Sequence, residues 1–155
     1  MEPVVQQDRT GCAIASVAAI LGKSYDEVKS VARSIGLFPE DKALWTQTSP
    51  VRKLLAQAGA QAGPDELPFT SWEDLPDLAL LSIKWKIQGE SPAWHWVVFV
   101  RNGTSACVLD PKKGLRTNTR RDFGRMRPKW YIPVTVGSSG RKEKTIPPES
   151  FLPKD

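Results

Sequence analysis

The chain is poor in the residues from which most reactive centres are built: among its 155 residues there are one histidine and two cysteines. That scarcity bears on several functions at once. A lone histidine with two widely separated cysteines, Cys12 and Cys107, gives no ligand cluster of zinc spacing, so no metal site is expected. Two cysteines do not build a disulfide framework either, which fits a reducing compartment or a single working thiol. There is no Gly-x-x-x-x-Gly-Lys loop, and no nucleotide cofactor is expected. The longest apolar run, Cys12 to Leu21, is about half of what a membrane-crossing helix needs. A secretory signal is argued against in the same place, because Glu2 and Asp8 precede the run against only Arg9. A cytoplasmic protein is the expectation.

What is present has the balance of an ordinary globular protein, 40% hydrophobic and 25% charged. The length suits one domain, expected over residues 1–136. Residues 137–155, with Gly-Ser-Ser-Gly, a charged stretch and three prolines, read as a flexible tail. The net charge of +5 is unevenly spread: from Lys112 to Lys129 stand eight Lys or Arg residues against one acidic residue, Asp122. Such a segment is either a solvated loop or a seat for an anionic partner such as nucleic acid, an acidic peptide or a membrane surface.

The first half reads as helical and the second as strands. Cys12 to Leu21 is alanine-rich and almost wholly apolar, and Gly22 follows as a terminator, so a buried central helix is expected. A second helix starts at Ser24 with Glu27 in capping-box spacing, carries Val28, Val31, Ala32 and Ile35 on one face, and stops at Gly36. A third runs from Ser49, with Pro50 in its first turn, to near Gly59. A short helical turn is expected at Ser71 to Leu75, between proline-broken loops. Strands are expected at Ala79 to Ile87, Trp94 to Arg101, Ser105 to Leu109 and Trp130 to Val136, with a hairpin at Asn102-Gly103. On the second of these, His95, Val97 and Phe99 share one face while Trp94, Trp96, Val98 and Val100 share the other. Apolar residues on both faces mark a central strand.

Three residues combine into a chemistry that none carries alone. Cys12 opens a helix, where free backbone N–H groups and the helix dipole favour a thiolate; the alternative is a small buried hydrophobe. His95, being the only histidine, is the sole candidate for a general base of that type, or else a strand histidine with a satisfied hydrogen bond. Asp110 follows the third strand and precedes Pro111, and the Asn102-Gly103 hairpin brings it beside His95; otherwise it only starts a turn. Nucleophile, base and orienter then stand in sequence order. Cys107 should face away from Asp110 by strand alternation and remain a structural free thiol.

With those residues in view, the chain resembles the papain-like cysteine peptidases, in particular the bacteriocin-processing, double-glycine leader branch. The segment Gln6-Gln7-Asp8-Arg9-Thr10-Gly11-Cys12-Ala13-Ile14-Ala15 is similar to the nucleophile segment of that group. The stretches His95 to Val100 and Val108-Leu109-Asp110-Pro111-Lys112-Lys113-Gly114 are similar to its histidine strand and Asp-Pro-x-x-Gly turn. The resemblance spans roughly residues 4 to 135. It departs next to the nucleophile: the branch commonly has an acidic residue before the cysteine and a glycine after it, where this chain has Gly11 and Ala13.

The resemblance implies an α+β, papain-like fold, with N-terminal helices, the nucleophile at the start of a central helix, and a C-terminal antiparallel sheet. It implies that Gln6 donates its amide to an oxyanion alongside the Cys12 N–H, with Gln7 as the rival for that role. The implied activity is a cysteine peptidase or amidohydrolase working through a Cys12-His95-Asp110 triad and a thioester on a peptide or protein substrate. The alternatives are a non-catalytic peptide-binding module of the same fold, or an acyl transferase or deamidase using the same triad. No cofactor is implied.

Overall fold

The structure, a computed structural model, describes residues 1–136, so the tail expected at 137–155 lies outside the described residues. Helix α1 (Cys12–Leu21) begins and ends where its composition says it should: Gly22 takes a left-handed φ of 65°, and its N–H returns to the carbonyls of Ala18 and Ala19. Nine of its ten residues are buried, Ser16 included, which is what an apolar helix without a polar face requires. It packs against α2 (Tyr25–Ser34), α4 (Ser49–Ala58) and strand β4 (Ser91–Asn102). The α2 capping box is complete, Ser24 Oγ accepting from the Glu27 N–H while Glu27 Oε1 accepts from the Ser24 N–H at 2.8 Å. Between α2 and α4 lies a single turn, α3 (Ala43–Thr46), with no sequence signal of its own.

The remaining elements are β1 (Ala60–Ala62), β2 (Leu67–Pro68), β3 (Leu78–Gln88), β5 (Ser105–Leu109), β6 (Thr119–Arg120), the short helix α5 (Phe123–Met126) and β7 (Trp130–Val136). All pairings are antiparallel, in the order β1-β7-β3-β4-β5-β6, with β2 also on β7. Strand β4 is therefore interior, as its two apolar faces require. One expectation fails: Ser71 to Leu75 is a turn, not a helix, closed by Asp74 N–H on Ser71 Oγ at 3.2 Å and Leu75 N–H on the Trp72 carbonyl at 3.3 Å. Pro68 and Pro76 leave too few residues between them to propagate a helix past its costly first turn.

The sheet divides two cores by strand alternation. On one face Leu80, Trp94, Trp96, Val98, Leu109 and Ile132 meet the helices. On the other, Ala79, Leu81, Ile83, Val97, Phe99 and Val108 are covered by Leu75, Met126, Trp72 and Phe123. Each fully buried Leu, Ile, Val or Phe contributes about 1.5–3 kcal/mol relative to exposure, so a one-residue slip of β4 would invert both cores together. Cys107 packs against the helical core while Ala106 and Val108 belong to the opposite one, and both cysteines are free thiols. Among the described residues no helix is long and apolar enough to cross a membrane.

Candidate active site

Strand β5 stops opposite Val98, so β4 runs on past its neighbour through Val97, Trp96 and His95. The chain that leaves β5 at Leu109 turns there through Asp110 and Pro111, and the segment leading into α1 packs beside it, the Gln6 N–H donating to the Pro111 carbonyl at 2.8 Å. Ser16, one turn into α1 from Cys12, donates its hydroxyl to the Trp96 carbonyl at 3.4 Å. Helix start, strand and turn are thereby tied together at one notch in the sheet.

Cys12, His95 and Gln6 line one cavity of about 160 Å³ in that notch, with Trp94 and Trp45 among its walls. Cys12 is 6% exposed and is the first residue of α1, whose N-terminus has no side-chain cap and no acidic residue in its first turn. The positive end of that helix is thus uncompensated at the thiol. His95 Nε2 lies 2.8 Å from Asp110 Oδ1. Against an ionised carboxylate Nε2 must be the protonated nitrogen, which leaves Nδ1 as the ring's other hydrogen-bonding atom.

Asp110 has a fully buried side chain, held on every side. Besides His95 it accepts from Arg120 Nη1 at 2.9 Å and from the Lys112 N–H at 3.0 Å, and Asn118 Nδ2 donates to its carbonyl at 2.8 Å. Burial alone would raise its pKa, but the bond to His95, the charge of His95 and the Lys112 and Arg120 donors outweigh that and bring it to about 2. Burial likewise acts to lower the His95 pKa. The hydrogen bonds to Asp110 and Cys12, and the charges of both, overcome it and lift the imidazole to about 9.

These shifts fix the sign of a stability change with pH. A group whose pKa is higher folded than unfolded stabilises the fold fully below its unfolded value, and that stabilisation is lost as pH rises through the folded value. For His95 the window runs from 6.5 to about 9. For Asp110, lowered from 3.8, the loss comes as pH falls toward 2. The urea midpoint is therefore expected to decline between pH 6.5 and 9 in the parent chain and to stay level there in His95→Gln. A parent midpoint flat over that interval would contradict the His95–Asp110 pairing.

Gln6, 7% exposed, lines the cavity. Its Nε2 donates to the Arg9 carbonyl at 2.7 Å and the Asp8 carbonyl at 3.1 Å, and its buried Oε1 has no partner. Gln7 is exposed, and its carbonyl accepts from Lys113 Nζ at 2.6 Å. Two supports escaped the sequence reading. Arg120 holds Asp110 while pairing through its other nitrogens with Asp122, but in the sequence it is one cation in a run of eight. Tyr25 is buried under the nucleophile loop and donates its hydroxyl to Asp8 Oδ2 at 2.7 Å. Burial first, and that bond second, raise its pKa, and the nearby Cys12 adds to the shift. Lys29 completes the cluster by pairing with Asp8 at 3.1 Å.

Comparison with solved structures gives a likeness in fold. The chain superposes on a double glycine motif protease from an AMS/PCAT transporter, solved in complex with the leader peptide, with a TM-score of 0.54 and 18% sequence identity. The match covers 87% of this chain and 91% of that one. The mixed helical and antiparallel-sheet fold is therefore shared with a peptidase domain, and the likeness falls on the group of proteins that the sequence motifs resemble. No protein-family model matches the chain, and no curated protein matches it in sequence.

Proposed function

We propose that this chain is a papain-like cysteine hydrolase that cleaves a peptide or amide bond through Cys12, His95 and Asp110. The observation that carries the reading is the shared cavity in which the imidazole stands between the Cys12 thiol and a fully buried carboxylate 2.8 Å from Nε2. With its pKa raised, His95 holds on Nδ1 the proton that came from the Cys12 thiol, and the thiolate attacks the substrate carbonyl carbon. The oxyanion is held by the Cys12 N–H and by Gln6, whose amide keeps its shorter bond to Arg9 and gives up the longer one to Asp8. The imidazolium protonates the leaving amine, a thioester forms, and His95 then draws a proton from the water that hydrolyses it. Asp110 keeps Nε2 protonated and stabilises the imidazolium, and Arg120 with the Lys112 N–H keeps Asp110 in place.

A polypeptide substrate is supported by two buried atoms. Gln6 Oε1 and Trp94 Nε1 are the buried side-chain polar atoms without a hydrogen-bond partner among the described residues, and both residues line the cavity over Cys12. A peptide unit offers the matching N–H and C=O. A structurally similar protein is itself a peptidase, solved with a peptide bound. The test is a peptidyl electrophile incubated with the native protein and mapped by mass spectrometry. Cys12 is expected to be modified, and the modification to fall at least a hundredfold in His95→Ala. Labelling that ignores His95, or that goes to Cys107, sinks the proposal.

A further inference from the structure

The cavity over Cys12 does not stand alone. A second, of about 230 Å³, shares Trp45, Trp94 and His95 with it and adds Lys84 and Lys86. A third, of about 430 Å³, shares Lys84 with the second and is walled by Arg125, Arg127 and Lys129. The three stand in series, each sharing a wall with the next, from the nucleophile past Lys84 of β3 to the basic segment between α5 and β7, and the cations multiply along the series. Lys84, Lys86, Arg125, Arg127 and Lys129 are all exposed, and none makes an ion pair among the described residues. Lys84 also stands against Lys112. Partial burial, then that neighbouring ammonium, lower its pKa.

The backbone marks the same place. Among the described residues two that are not glycine have positive φ, Lys84 at 54° and Arg127 at 46°, and both wall the third cavity. A side chain with a Cβ is disfavoured in that conformation, which glycine adopts without strain. Strain retained at two cations on one groove is the pattern of a binding surface rather than of a solvated face. Lys84 falls within the irregularity between Ile83 and Lys86 where β3 shifts register on β4, a bulge that re-aims side chains beside an active site.

We infer that this groove holds an acidic stretch of the polypeptide substrate, with carboxylates several residues from the bond cut at Cys12 meeting Lys84, Arg125, Arg127 and Lys129. The inference rests on the hydrolase reading and supplies its substrate class. A polypeptide suits the groove better than nucleic acid. The groove is linked through the Lys84 cavity to one whose unpaired donor and acceptor fit a peptide unit, and its aromatic residue, Trp85, has Lys129 Nζ 4.6 Å from its ring centroid, where a base would stack.

The experiment titrates the native protein with three fluorescein-labelled probes at low salt: an octaglutamate peptide, an octaglutamine peptide and a single-stranded oligonucleotide. Octaglutamate is expected to bind at least tenfold more tightly than octaglutamine, to lose that advantage as salt is raised, and to slow alkylation of Cys12 by iodoacetamide. Lys84→Glu with Arg127→Glu should weaken octaglutamate binding at least tenfold. Lys84→Gly with Arg127→Gly removes the same charges and the strain together; it should weaken binding alike while unfolding at no lower urea concentration, which separates lost binding from a damaged fold. Equal affinity for the two peptides, or octaglutamate affinity untouched by both double variants, overturns the inference. So does tighter binding of the oligonucleotide that both variants abolish. None of these results bears on the dependence of Cys12 labelling on His95, by which the hydrolase reading stands or falls separately.

Discussion

Replacing Cys12 with alanine is expected to lower the rate of peptide hydrolysis on the order of 10⁴- to 10⁶-fold, and adding His95→Ala to that variant to cost almost nothing further. The reason lies in how the site is built. The imidazole has two hydrogen-bonding atoms, and one is committed to a buried carboxylate. Its other nitrogen has value only if it can take a proton from the thiol and return it to the leaving group. Once the sulfur is gone the histidine has nothing to activate, so two large single losses should not multiply. Gln6→Ala belongs to a different step and should behave differently. It leaves the nucleophile but removes one proposed donor to the oxyanion, and a loss of about 10²- to 10³-fold in kcat with little change in KM is expected. Single-turnover hydrolysis of a fluorogenic peptide by the three single variants and the Cys12→Ala/His95→Ala pair measures all of this. If the losses at Cys12 and His95 multiply, the two residues do not work as a unit and the proposed mechanism is wrong.

Why the residues of the proposed triad were legible in the sequence and the residues that hold them were not has a physical answer. Helices α1, α2 and α4 carry their start and stop signals within the chain: the Ser24 and Glu27 capping pair, Pro50 in a first turn, and Gly22 and Gly59 in left-handed backbone. Strand β4 shows its two faces by simple alternation, and a hairpin at Asn102-Gly103 fixes which residues of β5 it meets; the loop itself falls on Gly103 and Thr104, with Asn102 paired to Ser105. Local rules therefore suffice to place Cys12, His95 and Asp110 in order. Strands β1, β2 and β6 have two or three residues each, too few to show any period, and α3 and α5 are single turns that tertiary contacts alone define.

The same distinction separates the carboxylate from its keepers. Asp110 announces itself through the Asp-Pro turn, whereas Arg120 reaches it only because β6 pairs with β5, Leu109 opposite Thr119. The left-handed backbone of Lys84 follows from a bulge that no residue type in β3 requires. Reading the basic run as either a solvated loop or an anion seat was as far as composition goes. Arg120 turns inward to hold Asp110, while Arg125, Arg127 and Lys129 wall a cavity that shares Lys84 with the one beside His95, and only the folded chain separates those two uses.

Gly11→Ala should be the most damaging of the small substitutions, although its backbone gives no warning. At φ −94° and ψ 19° any residue could stand before the nucleophile. The obstacle is space: a Cβ built on Gly11 falls 2.1 Å from Tyr25 Oη and 3.0 Å from its Cζ. Tyr25 cannot swing aside, being 2% exposed and bonded through that oxygen to Asp8, which Lys29 holds from the other side. Either the ring and Asp8 separate, leaving a buried hydroxyl unpaired, or the start of α1 shifts and carries Cys12 with it. The position before Cys12 thus has no room for a side chain, because a tyrosine hydroxyl bonded to Asp8 stands where its Cβ would go. A destabilisation of about 3 kcal/mol is expected, lowering Tm by roughly 6–12 °C in a chain of this size, together with a loss of Cys12 alkylation rate. Tyr25→Phe in the same chain removes the shortest contact and leaves the two ring-carbon contacts at 3.0 and 3.1 Å, so it should recover part of the stability and most of the reactivity. If Gly11→Ala melts at the parent temperature, Tyr25 does not pack beneath the nucleophile loop. If Tyr25→Phe recovers nothing, the clash lies elsewhere.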